Sequence, residues 1–393
     1  MSPDPAGLRH ASPKPLRGAE RRSEALDFLR FVAVILVLFR HAPPAPAPVT
    51  PWIRWPFELL ARGGWTGVDL FFVLSGFLIS GLLFQEQKQT GNLDLKRFWI
   101  RRAFRIYPAF WVMITVACAH DIREPRWFHW DWLFNDLLFL QNYGYSIRPH
   151  GWSLAVEEHF YILLPLYLAW KLHRRRAIPN PFAGLPRDVL ILSCVCLVLR
   201  WLTMEFYPVA DNYTHQFPTH LRLDALAFGV LLGYGRATRP DWFSATVHRW
   251  RRWLWAVAAL LLWPPFVWDL SSSRPLQVLS LTTNYLGFGA LLLASLDSGA
   301  PRSQWAAACF RACGAIGAFS YSIYLWHADV FYLLEQTIPP TWAFPARLVL
   351  WLAAALTAGA IMSLLVEKQS LRLRDRFFPS RSRGIGLAPN TRA

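Results

Sequence analysis

The sequence predicts an all-α polytopic membrane protein, a bundle of about ten transmembrane helices with both termini cytoplasmic. Three observations predict it. The chain is 54% hydrophobic over 393 residues, with 21 Trp and 28 Phe. Its apolar residues gather in windows of roughly 17–23, the length a helix needs to cross about 30 Å of hydrocarbon. Short basic stretches separate these windows, and a cytoplasmic amino terminus puts most Lys and Arg in the inward-facing loops, as the positive-inside rule expects.

The first apolar segment, 26–42, follows Arg9, Lys14, Arg17, Arg21 and Arg22, and residues 1–22 read as a flexible basic, Pro-rich tail. A basic leader before an apolar run resembles a cleavable signal, but Arg30 and Arg40 interrupt this one, so it reads as a retained span. Segments 65–84 and 104–119 flank an inward loop carrying Lys88, Lys96, Arg97, Arg101 and Arg102. The piece Trp132–Leu140 is too short to cross and reads as interfacial or re-entrant. Segments 153–171 and 187–207 bracket Lys171, Arg174, Arg175, Arg176 and Arg187. Segments 219–235 and 252–270 bracket Arg236, Arg239, Arg249 and Arg251. Segments 276–296 and 318–336 are joined through Arg302 and Arg311, and 344–366 is the last span. One transmembrane domain, 23–370, is therefore expected, followed by a basic cytoplasmic tail, 371–393. No internal repeat and no soluble second domain stand out.

The net charge of +16, from 41 Lys and Arg against 25 Asp and Glu, is spread over alternating loops. Topology accounts for it, and nucleic acid is not expected as a partner. Cys118, Cys194, Cys196, Cys309 and Cys313 show no CxxC or zinc spacing and read as packing residues. No metal is expected, and the tryptophans read first as interfacial belts.

Ionisable residues inside apolar segments are the candidates for function, because such groups are costly in lipid and must face each other or a water-filled cavity. Arg30 and His41 are eleven residues apart, about three turns plus about 20°, so they share one face of the first helix about 16 Å apart. Asp69, Glu157, Glu158, Arg222 and Asp224 fall near the starts of spans that begin where His41 ends. On the cytoplasmic side "KRFWIRRAFRIYP" clusters Arg101, Arg102 and Arg105 with Lys96 and Arg97. Guanidinium groups so placed suit a polyphosphate or lipid headgroups. Ser75, in "FFVLSGF", lacks the Gly-x-Ser-x-Gly elbow and reads as a small packing residue. His327 lies mid-span in "YLWHAD", as a lining or a packed histidine.

These stretches together resemble the acyltransferase 3 family of membrane-bound O-acyltransferases. The resemblance rests on Arg-x10-His through Arg30 and His41, and on "GVDLFFVLSGFLIS", "RRAFRIYP", "WSLAVEEHFYILLP", "LRLDALAFGVLLG" and "SYSIYLWH", in that order over about residues 24–370. Some members of that family carry a carboxy-terminal SGNH esterase-like domain, and no such pattern is read after Glu367.

The resemblance implies transfer of an acyl group, commonly acetyl from acetyl-CoA, to a hydroxyl of a glycan, lipid-linked sugar or related acceptor, in a bacterial plasma membrane. His41 is then the expected general base or acyl relay, with Glu157, or else Asp69, charging it. Arg30, Arg101, Arg102 and Arg105 are expected to hold the acyl-CoA, and Trp152, Tyr161, Arg222, Asp224 and His327 the acceptor. The competing class is a transporter or flippase using the same intramembrane charges as a substrate or proton pathway.

Overall fold

A computed structural model of the protein describes residues 17–45, 49–121, 129–175, 178–209, 211–269, 273–296, 301, 303–339 and 341–379. Most of the two expected tails lies outside them. The described residues form helices and turns without a strand.

The helices are α1 Arg17–His41, α2 Pro51–Gly63, α3 Gly67–Thr90, α4 Leu95–Asp121, α5 Trp130–Leu137, α6 Trp152–Arg174, α7 Leu185–Phe206 and α8 Asn212–His215. They continue as α9 Leu223–Thr238, α10 Pro240–Leu262, α11 Pro264–Val267, α12 Arg274–Leu296, α13 Gln304–Gly317, α14 Ser320–Thr337, α15 Phe344–Met362 and α16 Lys368–Phe377. Each of the ten expected apolar segments lies largely on one of these helices.

Among the described residues, five helical runs are long and apolar enough to cross a membrane: Pro51–Thr90, Leu95–Asp121, Leu185–Phe206, Arg274–Leu296 and Phe344–Phe377. The pair α13 and α14, bent by 70°, makes a sixth if taken as one broken span. The exterior agrees with that setting. Along α7, Leu190, Ile191, Val195, Val198 and Trp201 are all exposed, and α15 exposes Val349 and Ile361, an apolar surface that water would not tolerate. Inside, α6 buries the charged residues Glu158 and Lys171.

Three elements outside the ten apolar segments stand out, two of them not expected from the sequence. Helix α2 fills what reads as an outer loop, and α13 fills what reads as a basic inner loop, where Phe310 stacks on Phe28 of α1 at 4.7 Å. The ambiguous aromatic piece is the short helix α5, with Trp130, Phe134 and Leu137 exposed. It is followed by Phe139 at φ 56°, a left-handed conformation that costs a non-glycine residue energy. Phe139 keeps it because its ring stacks on Tyr107 and Phe110 at 5.3 and 5.0 Å.

Helix α3 is the axis of the bundle. It packs backbone to backbone on α9 because both lack side chains at the crossing. A Cβ on Gly76 would collide with the Leu226 carbonyl, and one on Gly229 with the Val73 carbonyl. Close approach through small residues is how helices associate where no hydrophobic drive exists between them. This crossing fixes the start of α3 beside the start of α9 and the end of α1.

Candidate active site

The end of α1 places His41 against α14. Its Nδ1 lies 3.0 Å from the Val37 carbonyl one turn back and 3.2 Å from Nε2 of His327. His327 is fully buried, and its Nδ1 lies 2.6 Å from the Tyr324 carbonyl. A carbonyl only accepts, so the neutral rings have one consistent arrangement. Nδ1–H of His327 donates to Tyr324, its Nε2 lone pair faces His41, and Nδ1–H of His41 donates to Val37 and His327. Nε2 of His41 is left as the free base, on an imidazole that remains exposed.

A third ring supports the pair. His150, in the turn before α6, has its ring 4.9 Å from that of His327, and its Nε2–H donates to the Leu325 carbonyl at 3.0 Å. The Tyr324 hydroxyl donates to the His150 carbonyl and meets Ser153 at 2.6 Å. His150, Ser153 and Tyr324 were missed in the sequence. The available signal was the i, i+3 spacing of Tyr324 and His327, which puts both on one face of α14.

Among the described residues neither expected carboxylate contacts His41. Asp69 pairs with Arg222 at 2.6 Å and accepts from Asn284 at 3.1 Å, all three buried. Asp224 pairs with Arg200 at 2.6 Å, and Arg200 also donates to the Leu221 carbonyl. Arg222 lies over the rings of Phe72 and Trp152, and Trp152 stacks on Phe217 at 4.5 Å. Asp69, Arg222 and Asp224 are 1%, 2% and 0% exposed. These expected contacts are therefore braces tying the ends of α3, α7, α9 and α12, as buried charges must pair.

Glu157 sits more than a turn into α6, which carries it away from His41 and toward α4. The Tyr161 hydroxyl donates to it at 3.1 Å and meets Ser75 at 2.5 Å. Ser75 is thus a hydrogen-bonding residue, while its neighbour Gly76 makes the close packing. The guanidinium of Arg102 lies 5.0 Å from the Tyr161 ring centroid. Glu158 accepts from Tyr107 at 3.0 Å, and its other oxygen is buried without a partner.

The basic cluster divides. Arg101 turns to the carboxy-terminal helix, 3.3 Å from Asp375 and donating to the Phe378 carbonyl. Arg102 and Arg105 have no ion-paired carboxylate among the described residues and remain available to an anion. Arg30 pairs with Asp27 on its own helix, with Arg105 and Glu367 near enough to act on it electrostatically. Glu367, in the π-turn Ser363–Glu367 between α15 and α16, accepts from Ser322 and Ser363 at 2.8 and 2.9 Å. Wide turns of this kind often mark functional positions.

Two polar centres result. One is the histidine pair at the end of α1; the other is a cluster of Arg102, Arg105, Glu157, Glu158 and Tyr161 between α4 and α6. Among the described residues no group of three or more His, Cys, Asp and Glu is arranged to hold a metal ion.

The acyltransferase 3 family model, described as an acyltransferase domain, matches residues 23–366. The peptidoglycan O-acetyltransferase OatA of Listeria monocytogenes is 27% identical over 372 residues, 87% of this chain and 55% of that protein. A putative O-acetyltransferase of Staphylococcus aureus strain MSSA476 is 29% identical over 363 residues, 81% of this chain and 53% of the relative. The O-acetyltransferase OatA of S. aureus strain NCTC 8325 is 26% identical over 367 residues, 80% and 52% of the two chains. The chain thus spans about half the length of these relatives. No solved structure matches it.

Proposed function

This chain belongs to the acyltransferase 3 family, and from that membership we propose that it is an integral O-acetyltransferase of a bacterial plasma membrane. It takes the acyl group from cytoplasmic acyl-CoA, most simply acetyl-CoA, and transfers it to a hydroxyl of a carbohydrate. The topology that goes with this reading is the ten-span one with both ends cytoplasmic, in which α1 runs outward to His41. The names of the relatives support an acetyl group and a glycan acceptor.

The observation that carries the proposal is the His41–His327 pair, which commits one nitrogen of His41 and frees the other. In the reaction, Nε2 of His41 takes the proton of the acceptor hydroxyl as its oxygen attacks the thioester carbonyl. The C–S bond then breaks, and the thiolate takes the proton from Nε2–H to leave as the free thiol. While His41 carries both protons, its Nδ1–H remains bonded to Val37 and His327, which fixes the ring plane throughout. Arg102 and Arg105 bind phosphates of the donor, and Arg30, already paired with Asp27, lies beside them.

The test is transfer of radiolabelled acetyl from acetyl-CoA to extracted glycans and lipids, in membranes holding matched amounts of wild type, His41→Ala or Arg102→Ala. Label in an acceptor with wild type alone is the expected result. Equal labelling by all three overturns the role of His41, and absent labelling with absent acetyl-CoA binding overturns the donor.

A further inference from the structure

Beside Arg40 at the end of α1 lies a cavity of about 260 Å³. Arg40, Arg62, Trp65 and Trp268 line its exposed rim, while Arg200 and Ser280 form its buried floor. The floor is rigid, because Arg200 is held by the Leu221 carbonyl, Asp224 and Thr282.

Two polar atoms at this floor have no hydrogen-bond partner among the described residues. Ser280 is only 5% exposed and its Oγ has no hydrogen-bond partner; the same is true of the buried Oε1 of Gln277, one turn earlier on α12. Both residues line the cavity. Buried hydroxyls and amides are normally bonded, and leaving one orphaned costs free energy, so these two atoms ask for a ligand that presents hydroxyl groups.

The rest of the lining says which kind. Two indoles offer flat apolar faces with polar edges, suited to the C–H face of a sugar. Charges are balanced: Asp211 and Asp269 also line the cavity, Arg200 is spent on Asp224, and Arg62 donates to the Val267 carbonyl. That balance favours a neutral polyol over a polyanion. The volume lies just under the roughly 300 Å³ at which drug-sized pockets begin, room for about one ring.

We propose that this cavity is a subsite for one uncharged sugar ring of a glycan, set beside α1 so that a neighbouring ring of the same glycan reaches Nε2 of His41. Its place in the reaction rests on the O-acetyltransferase reading; sugar binding itself does not.

The experiment uses the full chain in lipid nanodiscs immobilised on a sensor surface, with tetrasaccharides of glucose, galactose and N-acetylglucosamine as neutral probes and tetragalacturonate as the anionic one. At least one neutral probe is expected to bind saturably. Ser280→Val and Gln277→Leu, each checked for folding by its melting profile, are expected to weaken that binding about tenfold, as loss of a hydrogen bond in a closed site does. The exposed Trp305 on α13 provides the control, Trp305→Phe, which leaves the affinity unchanged. Failure of every neutral probe, preference for tetragalacturonate, or unchanged affinity in both floor variants overturns the subsite. Acetyl-CoA binding by the wild type is measured in parallel. Acetyl-CoA binding without sugar binding removes the subsite alone, whereas sugar binding without acetyl-CoA binding keeps the subsite and removes the donor reading.

Discussion

Replacing Arg222 by Gln separates a brace from a substrate contact. The guanidinium is 2% exposed, bonds Asp69 at 2.6 Å, and covers the rings of Phe72 and Trp152. In Arg222→Gln, Asp69 keeps only the Asn284 amide as a hydrogen-bond donor and becomes a buried carboxylate without a counter-charge. Breaking one side of such a pair costs about 3–5 kcal/mol, a large part of the roughly 5–15 kcal/mol that holds a domain folded. Removing both partners, as Asp69→Leu with Arg222→Met, eliminates the stranded charge, so the double variant should regain more than half of the loss. Unfolding of the wild type, Asp69→Leu, Arg222→Met and the double variant in nanodiscs gives the coupling through a double-mutant cycle, and transfer activity per folded molecule is measured alongside, for Arg222→Gln as well. The brace predicts that the single variants unfold early while their folded fraction keeps most of its activity. A single variant that melts like the wild type yet loses activity refutes the brace and returns Arg222 to the acceptor site.

Four further outcomes follow from the same geometry. His327→Phe removes one of the two acceptors of the His41 Nδ1–H and leaves the Val37 carbonyl, so kcat should fall about 10–100-fold with little change in KM for acetyl-CoA; a loss confined to KM contradicts the pair. Arg102→Gln should raise the KM for acetyl-CoA at least fivefold more than Arg101→Gln, because Arg101 is occupied by Asp375 and the Phe378 carbonyl; steady-state titration of the donor distinguishes them. Gly229→Val places a branched side chain against the Val73 carbonyl and Phe77, and should cost about 1–3 kcal/mol or prevent assembly, read from the yield and melting profile of folded protein. Tyr161→Phe keeps the ring under Arg102 but removes the hydroxyl between Ser75 and Glu157. It should lower donor affinity less than Arg102→Gln does, and equal losses in a binding titration contradict that ranking.

Long-range partnering is what the sequence hides. The apolar windows point to helices because long apolar runs of that length suit them, and the Arg30–His41 spacing is legible because a single helix, α1, carries both. Asp69 and Arg222 are 153 residues apart, and His41 and His327 are 286 apart. No periodicity links them, since the α3–α9 and α1–α14 packings decide who meets whom. Glu157 illustrates the error that results. Ranked by nearness to a helix start, it belongs with His41; its true neighbours are set by the face it occupies, which turns it toward Tyr161 and Arg102. Helix α13 was hidden for another reason: its small residues pack against α1 through Gly317, so its mixed composition reads as a loop.

The remaining mechanistic choice, direct transfer or a covalent acyl-histidine, is narrowed by the same pair. In the proposed reaction, with Nδ1–H held by Val37 and His327, Nε2 is the nitrogen left to serve, either as the base for the acceptor or as the nucleophile toward the thioester. A base needs the acceptor in place before the thioester opens, so donor alone leaves the enzyme unlabelled. A nucleophile needs only the donor, and acyl transfer to Nε2 would generate a cationic acylimidazolium whose Nδ1–H still bonds His327. That neighbour is a neutral imidazole in a buried site, which disperses positive charge less well than the carboxylate a covalent relay would favour. Direct transfer is therefore the expected course. Mixing the protein with labelled acetyl-CoA without acceptor and quenching within milliseconds should show no label on the protein, and a burst of labelled His41 would reverse the assignment.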